Sequence, residues 1–251
     1  MLVKTYNILL IGDNCQDIYQ YGYVDRISPE APVPVFRFDH EKTKPGMAGN
    51  VYENLLQFNC QVNYIYDKTS TKTRLIDLRS GQHIVRIDND LMSEPIRLAD
   101  NRFDVYSAIV ISDYNKGSVD SELITTIRKN FSGPIFVDTK KTDLAEFEGC
   151  FVKINAIEYS LAHTLPTDLI VTRGRQGADY QGQTYPAPEI EVVDTCGAGD
   201  TFLAALTYGY LNNHSDIGLA IEFANRAAAI TVQHSGVYAP SMEEIFVENS
   251  H

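Results

Sequence analysis

The residues with the clearest chemical meaning in this 251-residue chain are Val192-Val193-Asp194-Thr195-Cys196-Gly197-Ala198-Gly199-Asp200-Thr201-Phe202. They read as the end of a strand, a turn of small residues and the start of a helix. Glycines carry no side chain, so nearby backbone N–H groups can approach an anion closely. The free amides and dipole of a helix start favour negative charge at that point. The amides of Cys196, Gly197, Ala198 and Gly199 therefore form a cradle for the oxygens of a phosphoryl group in transit. Asp200 falls in the first helical turn beside this cradle, where a carboxylate can accept the proton of an attacking hydroxyl. An aspartate in a first turn also serves as a simple cap, and an isolated Gly-Ala-Gly-Asp favours that plainer role. The chain contains neither a GxxxxGK(S/T) phosphate loop nor a GxGxxG turn near its start.

Other polar residues stand where apolar runs stop. Asp13, Asp113, Asp138, Asn155 and Thr172 follow runs at 8–11, 105–111, 135–137, 151–154 and 169–171, and a further run spans 62–66. Continuous apolar runs of this length suit strands buried on both faces of a parallel sheet. Helical patterns at 48–58, 118–129, 198–211 and 216–233 alternate with them, which predicts an α/β sandwich. In such sheets ligands gather beyond the carboxyl ends of the strands, where these polar residues fall. Segments at about 20–44 and 71–88 break the pattern. The first alternates through Val33-Pro34-Val35-Phe36-Arg37-Phe38, and the second reads as a hairpin turning at Ser80-Gly81. They are expected to form a small β-sheet lid outside the main sheet, within a single domain spanning 1–251; an edge extension of the main sheet is the alternative.

Apolar residues make up 44% of the chain and charged residues 22%, a balance that supports a buried core. The formal charge of −12 argues against nucleic acid and anionic membranes as partners. Cys15, Cys60, Cys150 and Cys196 are scattered, with no CxxC pair, as in reduced cytoplasmic proteins. No stretch has the composition of a signal peptide or the length of a membrane span.

The string Asp-Thr-Cys-Gly-Ala-Gly-Asp-Thr is more specific than its parts: it resembles the DTxGAGD signature of PfkB (ribokinase-like) carbohydrate kinases. The resemblance implies a three-layer α/β/α sandwich with a β lid, using ATP and Mg²⁺, with Asp200 as base and Gly197, Ala198 and Gly199 as anion hole. Asp13 and Asp17 resemble the family's sugar-binding acidic residues. Pro45-Gly46-Met47-Ala48-Gly49-Asn50 resembles its PGGAAN segment, which assigns Gly46 and Asn50 to the sugar. Met47 stands there in place of the second glycine and Gly49 in place of an alanine. Asn155-Ala156-Ile157-Glu158 resembles the NxxE motif, which assigns Asn155 and Glu158 to Mg²⁺ and its waters. Thr172, Gly174 and Gly177 resemble the turn beside the nucleotide phosphates, and Asn225 the helix lining the adenine pocket. Asp194 and Thr195 are where a monovalent cation is expected.

Within the family, residues 26–35 (RISPEAPVPV) and Ser112-Asp113-Tyr114-Asn115-Lys116-Gly117 resemble the kinase domain of bifunctional heptose kinases, which phosphorylate the anomeric hydroxyl of a heptose 7-phosphate. The resemblance covers 7–238. It implies basic residues facing an anionic sugar, with Lys44, Arg74, Arg86 and Lys116 as candidates. The chain is shortened relative to the family, lacking an αβ unit between 66 and 72, and a homodimer through the lid is expected to offset the lost sheet edge. Another sugar or a nucleoside as acceptor, or a non-catalytic sugar- or nucleotide-binding protein, are the competing readings.

Overall fold

The computed structural model describes residues 4–98 and 102–247. The chain runs through β1 (Asn7–Gly12), β2 (Asn14–Ile27), β3 (Pro34–Met47), α1 (Ala48–Gln57) and β4 (Gln61–Ile65). A hairpin of β5 (Thr69–Asp77) and β6 (His83–Asn89) comes next, then β7 (Ala108–Asp113), α2 (Ser121–Asn130) and β8 (Ile135–Thr139). Beyond these lie β9 (Phe151–Asn155), α3 (Ala156–Leu161), β10 (Leu169–Thr172), β11 (Ala178–Tyr180) and β12 (Gln183–Tyr185). The described chain closes with α4 (Ala198–Asn212), α5 (Ile217–Thr231) and α6 (Met242–Val247).

The apolar runs form the centre of an eight-stranded sheet in the order β12-β11-β10-β9-β8-β7-β1-β4. From β10 to β4 every pairing is parallel. Side chains alternate across a strand, and β1 shows why its run is continuous. Ile8 and Leu10 pack with α1, α4 and α5, while Leu9 and Ile11 pack on the opposite face with Leu123, Ile124 and Ile127 of α2. The result is the expected α/β/α sandwich. Parallel pairing also brings the carboxyl ends of β1, β7, β8, β9 and β10 to one edge of the sheet. Among the described residues, no helix is long and apolar enough to cross a membrane.

The lid is a separate four-stranded sheet in the order β3-β2-β5-β6. It is longer than the sequence suggests: its strands cover Asn14–Ile27 and Pro34–Met47, against 20–44, and Thr69–Asp77 and His83–Asn89, against 71–88. The extra length follows from β2 leaving β1 after one residue and pairing with β3 down to Asn14↔Met47. Pro34 and Pro45 lie on β3, an edge strand, where a missing N–H breaks no ladder. The expected shortening is also present. β4 is the outer strand of the main sheet, and only Tyr66, Asp67 and Lys68 separate it from lid strand β5.

Candidate active site

Asp200 lies in the first turn of α4 and is buried. The helix is capped by Gly197 in the left-handed region, at φ 78°, a conformation that glycine adopts without strain. A side chain there would also collide with Asn50 Nδ2, 2.7 Å from the ideal Cβ position. This close approach lets Asn50 Nδ2 donate to Asp200 Oδ2 at 2.9 Å, while the Tyr114 hydroxyl donates to Oδ1 at 2.9 Å. Burial pushes the Asp200 carboxyl up to about 6, with repulsion from Asp138 adding to it; Asn50, Tyr114 and Lys153 oppose the rise. A carboxylate poised near neutrality, in place and with fixed orientation, suits general-base work.

Behind Asp200 lies a compact set of charges from β8 and β9. Asp138 and Lys153 are register neighbours, and Lys153 Nζ donates to Asp138 Oδ2 at 2.7 Å and to the Gly199 carbonyl at 3.3 Å. Both are about 2% exposed, so this pair places a fixed positive charge under the first turn of α4. Lys140 bridges Glu158 Oε1 at 2.5 Å and Asp138 Oδ1 at 3.5 Å, and lies 5.3 Å over the Tyr114 ring. Burial disfavours the Lys140 charge, but Asp138, Glu158 and Asp200 more than offset this and raise its pKa.

Asn155 and Glu158, expected at the metal, form a capping box at the start of α3. Asn155 Oδ1 accepts from the Ile157 and Glu158 amides, and Glu158 Oε2 accepts from the Asn155 amide. Asn155 is thereby committed to the helix end, and Glu158 offers only its Lys140-facing side. Mg²⁺ takes few protein carboxylates and keeps several waters, and Asp138 Oδ1, buried without a hydrogen-bond partner, could serve as one ligand, with Lys140 lying against both it and Glu158. At the expected monovalent-cation position, Asp194 accepts from the Cys196 amide at 3.0 Å and the Gly236 amide at 2.8 Å, bracing the turn before α4.

The expected sugar residues separate into two groups. Asp17, on lid strand β2, faces the site and meets Arg74 of β5 at 2.5 Å through Oδ1. Its Oδ2 lies 2.4 Å from where a side chain on Gly46 would begin, so Gly46 is what admits it. Asp13 instead anchors the loop after β7, accepting from the Tyr114 and Lys116 amides and the Ser118 hydroxyl. Asn50 turns toward Asp200 rather than standing free. Lys116 pairs with Asp90 at 2.6 Å, Lys44 donates to the Val237 carbonyl at 2.7 Å, and Arg86 pairs with Asp88 on the exposed lid. Met47 caps α1 at φ 53°, ψ −133° with its side chain buried. That region is nearly reserved for glycine, and a methionine held there stores about 1–3 kcal/mol of strain.

On the other side of α4, a cavity of about 610 Å³ brings together all four expected nucleotide residues, Thr172, Gly174, Gly177 and Asn225, with Ala198 and Gly199 of the expected anion hole. Its volume is that of a small-molecule site. Asn225 lines it while donating to the Tyr185 carbonyl at 2.9 Å, which ties α5 to β12. Sequence reasoning passed over Tyr114, Lys140 and Lys153 as site residues and placed Asp138 at the ligand edge of the sheet without a role. A signal existed for Lys153, a lone charge inside the apolar strand Phe151-Val152-Lys153-Ile154. Tyr114 gave none beyond lying in the Ser112-to-Gly117 motif, because its partner is 86 residues away.

Comparison with known proteins agrees with this geometry. Residues 135–245 match the pfkB family carbohydrate kinases. The bifunctional protein HldE of Nitratiruptor sp. is 32% identical over 296 positions, covering 95% of this chain and 64% of its own length. That of Helicobacter pylori strain G27 is 30% identical over 305 positions, covering 95% and 65%. The chain thus spans a little under two thirds of these relatives. Since each alignment is longer than the chain, both relatives carry segments that it lacks. Among solved structures, Arabidopsis thaliana ribokinase complexed with ribose and ATP superposes with TM-score 0.71 at 15% identity, covering 99% of this chain and 100% of that one. Escherichia coli phosphofructokinase-2 in complex with potassium gives TM-score 0.69 at 16% identity, covering 96% and 97%. The fold is therefore ribokinase-like, and residues 135–245 match the pfkB family of carbohydrate kinases.

Proposed function

We propose that this chain transfers the γ-phosphoryl group of ATP to a sugar hydroxyl, with Mg²⁺, and that its acceptor is a heptose 7-phosphate phosphorylated at O1. The observation that carries the proposal is the position of Asp200. Its carboxylate is held at the root of the lid, and the Ala198 and Gly199 backbone beside it lines the 610 Å³ cavity. ATP enters that cavity along Thr172, Gly174 and Asn225, which points its phosphates at the start of α4. The sugar lies between Asp17, the Gly46 backbone and the lid, where Asp17 Oδ2 accepts a hydroxyl hydrogen bond and Arg74 holds the carboxylate in line.

Asp200 takes the proton of the attacking hydroxyl. The amides of Gly197, Ala198 and Gly199, with the Lys153 ammonium beneath them, stabilise charge on the transferring group. Asp138 and Glu158 would hold Mg²⁺, which would supply neutralisation of phosphate charge. Closure of the lid over the sugar excludes water. The heptose assignment rests on residues 26–35 and the Ser112-to-Gly117 motif. The lid leaves Phe38, Val85 and Ile87 55%, 47% and 56% exposed on a sheet with both edges open, and two copies pair through this surface. The test is ADP formation from Mg·ATP across sugars, sugar phosphates and nucleosides. Turnover selective for heptose 7-phosphate supports the full proposal, and turnover with another acceptor replaces the heptose assignment. Nucleotide binding without turnover on any acceptor overturns the catalytic reading.

A further inference from the structure

The Asp200 carboxylate is deeply buried, and burial alone drives a carboxylate toward its neutral form, which cannot accept a proton. Two donors oppose this. Asn50 is one, its amide oriented by Asn54, which donates to Asn50 Oδ1 at 3.3 Å. Tyr114 is the other, and the surrounding structure fixes it more firmly than a side chain of the loop after β7 would otherwise be. Its backbone N–H is held by Asp13 Oδ2 at 2.8 Å, and the next amide, of Asn115, by Asp113 Oδ1 at 2.8 Å. The Lys140 ammonium sits 5.3 Å over its ring. Burial and the adjacent Asp200 raise the Tyr114 phenol well above its usual range, so it remains a donor.

We propose that Tyr114 is the positioning residue of the base: its hydroxyl sets the orientation of the Asp200 carboxylate and keeps it ionised at neutral pH. This deepens the phosphoryl-transfer reading and rests on it. The loop anchored by Asp13 then has a function, carrying the hydroxyl from the end of β7 to Oδ1 of a residue on α4. The other groups facing Asp200 are Asn50 from α1, Tyr64 from β4, Asp138 from β8, Lys140 just beyond β8 and Lys153 from β9. Asp138 acts against ionisation, and the two lysines act for it. Tyr114 and Asn50 are the groups that bond the carboxylate directly.

Tyr114→Phe removes the O–H and keeps the ring, its packing and the cation above it. Loss of a hydrogen bond to a charged group moves the Asp200 titration upward by about one to two pH units. The acid limb of acceptor-dependent kcat/KM should shift by that amount, giving a roughly tenfold loss at pH 6.5 that is largely recovered by pH 9. Urea unfolding of wild type and variant from pH 5 to pH 9 reads the same titration without catalysis, because the pH range over which stability falls moves up with it. A rate loss equal at every pH, or an unchanged profile in both measurements, overturns the proposal. Wild-type protein without turnover on any acceptor overturns the phosphoryl-transfer reading, and the unfolding series then decides Tyr114 by itself.

Discussion

Replacing Asp200 with asparagine should slow catalysis by about 10²–10⁴ and at the same time stabilise the protein, by an amount that depends on pH. The Asp200 carboxyl titrates at about 6 in the folded chain against an ordinary value of 3.8. About two units of difference, at 1.36 kcal/mol each, make about 3 kcal/mol. The sign follows from the direction of the shift. A raised folded pKa favours the folded state while the group is protonated, and that stability is lost as pH rises through about 6. Asparagine is nearly isosteric and cannot ionise, its oxygen can still accept from Asn50, and its amide can donate to the Tyr114 hydroxyl. The advantage of Asp200→Asn over wild type should therefore grow with pH, with roughly half of the 3 kcal/mol appearing between pH 5 and pH 8. Urea unfolding at half-unit pH steps measures the difference curve, in which the titrations shared by both proteins cancel. A variant less stable than wild type at pH 8, or a difference flat across the range, would refute the view that Asp200 is a buried charge held against its own desolvation.

Three further outcomes follow from named contacts. Gly46→Ala places a Cβ 2.4 Å from Asp17 Oδ2 and should raise the acceptor KM by about tenfold while leaving nucleotide affinity unchanged, as steady-state kinetics and calorimetry would show. Lys153→Met leaves the buried Asp138 carboxylate with only Lys140, 3.5 Å away, as a counter-charge and should cost about 3 kcal/mol in urea unfolding, because a buried charge loses its nearer partner. Phe38→Glu puts a charge on the exposed lid face and, on the proposed pairing of two copies through that face, should shift the mass seen by light scattering from dimer to monomer with the circular dichroism unchanged; a monomeric wild type overturns the pairing.

The main sheet was legible in the sequence because burial on both faces writes each strand as a continuous apolar run, as in Ile8-Leu9-Leu10-Ile11. The lid was legible only in part. β2 opens with Asn14-Cys15-Gln16-Asp17, which gives no strand signal because Asp17 faces the site rather than a core while Gln16, on the opposite face, is exposed. Asp200 and its glycine turn were readable because the cradle is local, built from adjacent amides of one helix start. The groups that tune the base were not, because Asn50, Tyr114 and Lys153 reach it only through tertiary packing of α1, the loop after β7, and β9. Asp13 shows the opposite case. Its position at a strand end suggested ligand binding, yet three hydrogen bonds commit it to holding the loop that carries Tyr114. Met47 is the departure that the structure makes most concrete: the backbone keeps the conformation suited to glycine, and methionine occupies it under strain.

In the proposed mechanism everything turns on Asp200 taking the proton of the attacking hydroxyl. Single-turnover transfer from γ-labelled ATP to the acceptor identified by the panel, at saturating nucleotide and pH 8, tests it most directly in wild type and Asp200→Asn. Nucleotide affinity should stay within a few-fold of wild type while the transfer rate falls by about 10²–10⁴. Transfer by the variant within tenfold of wild type, at equal nucleotide occupancy, would contradict it and move the base to another residue.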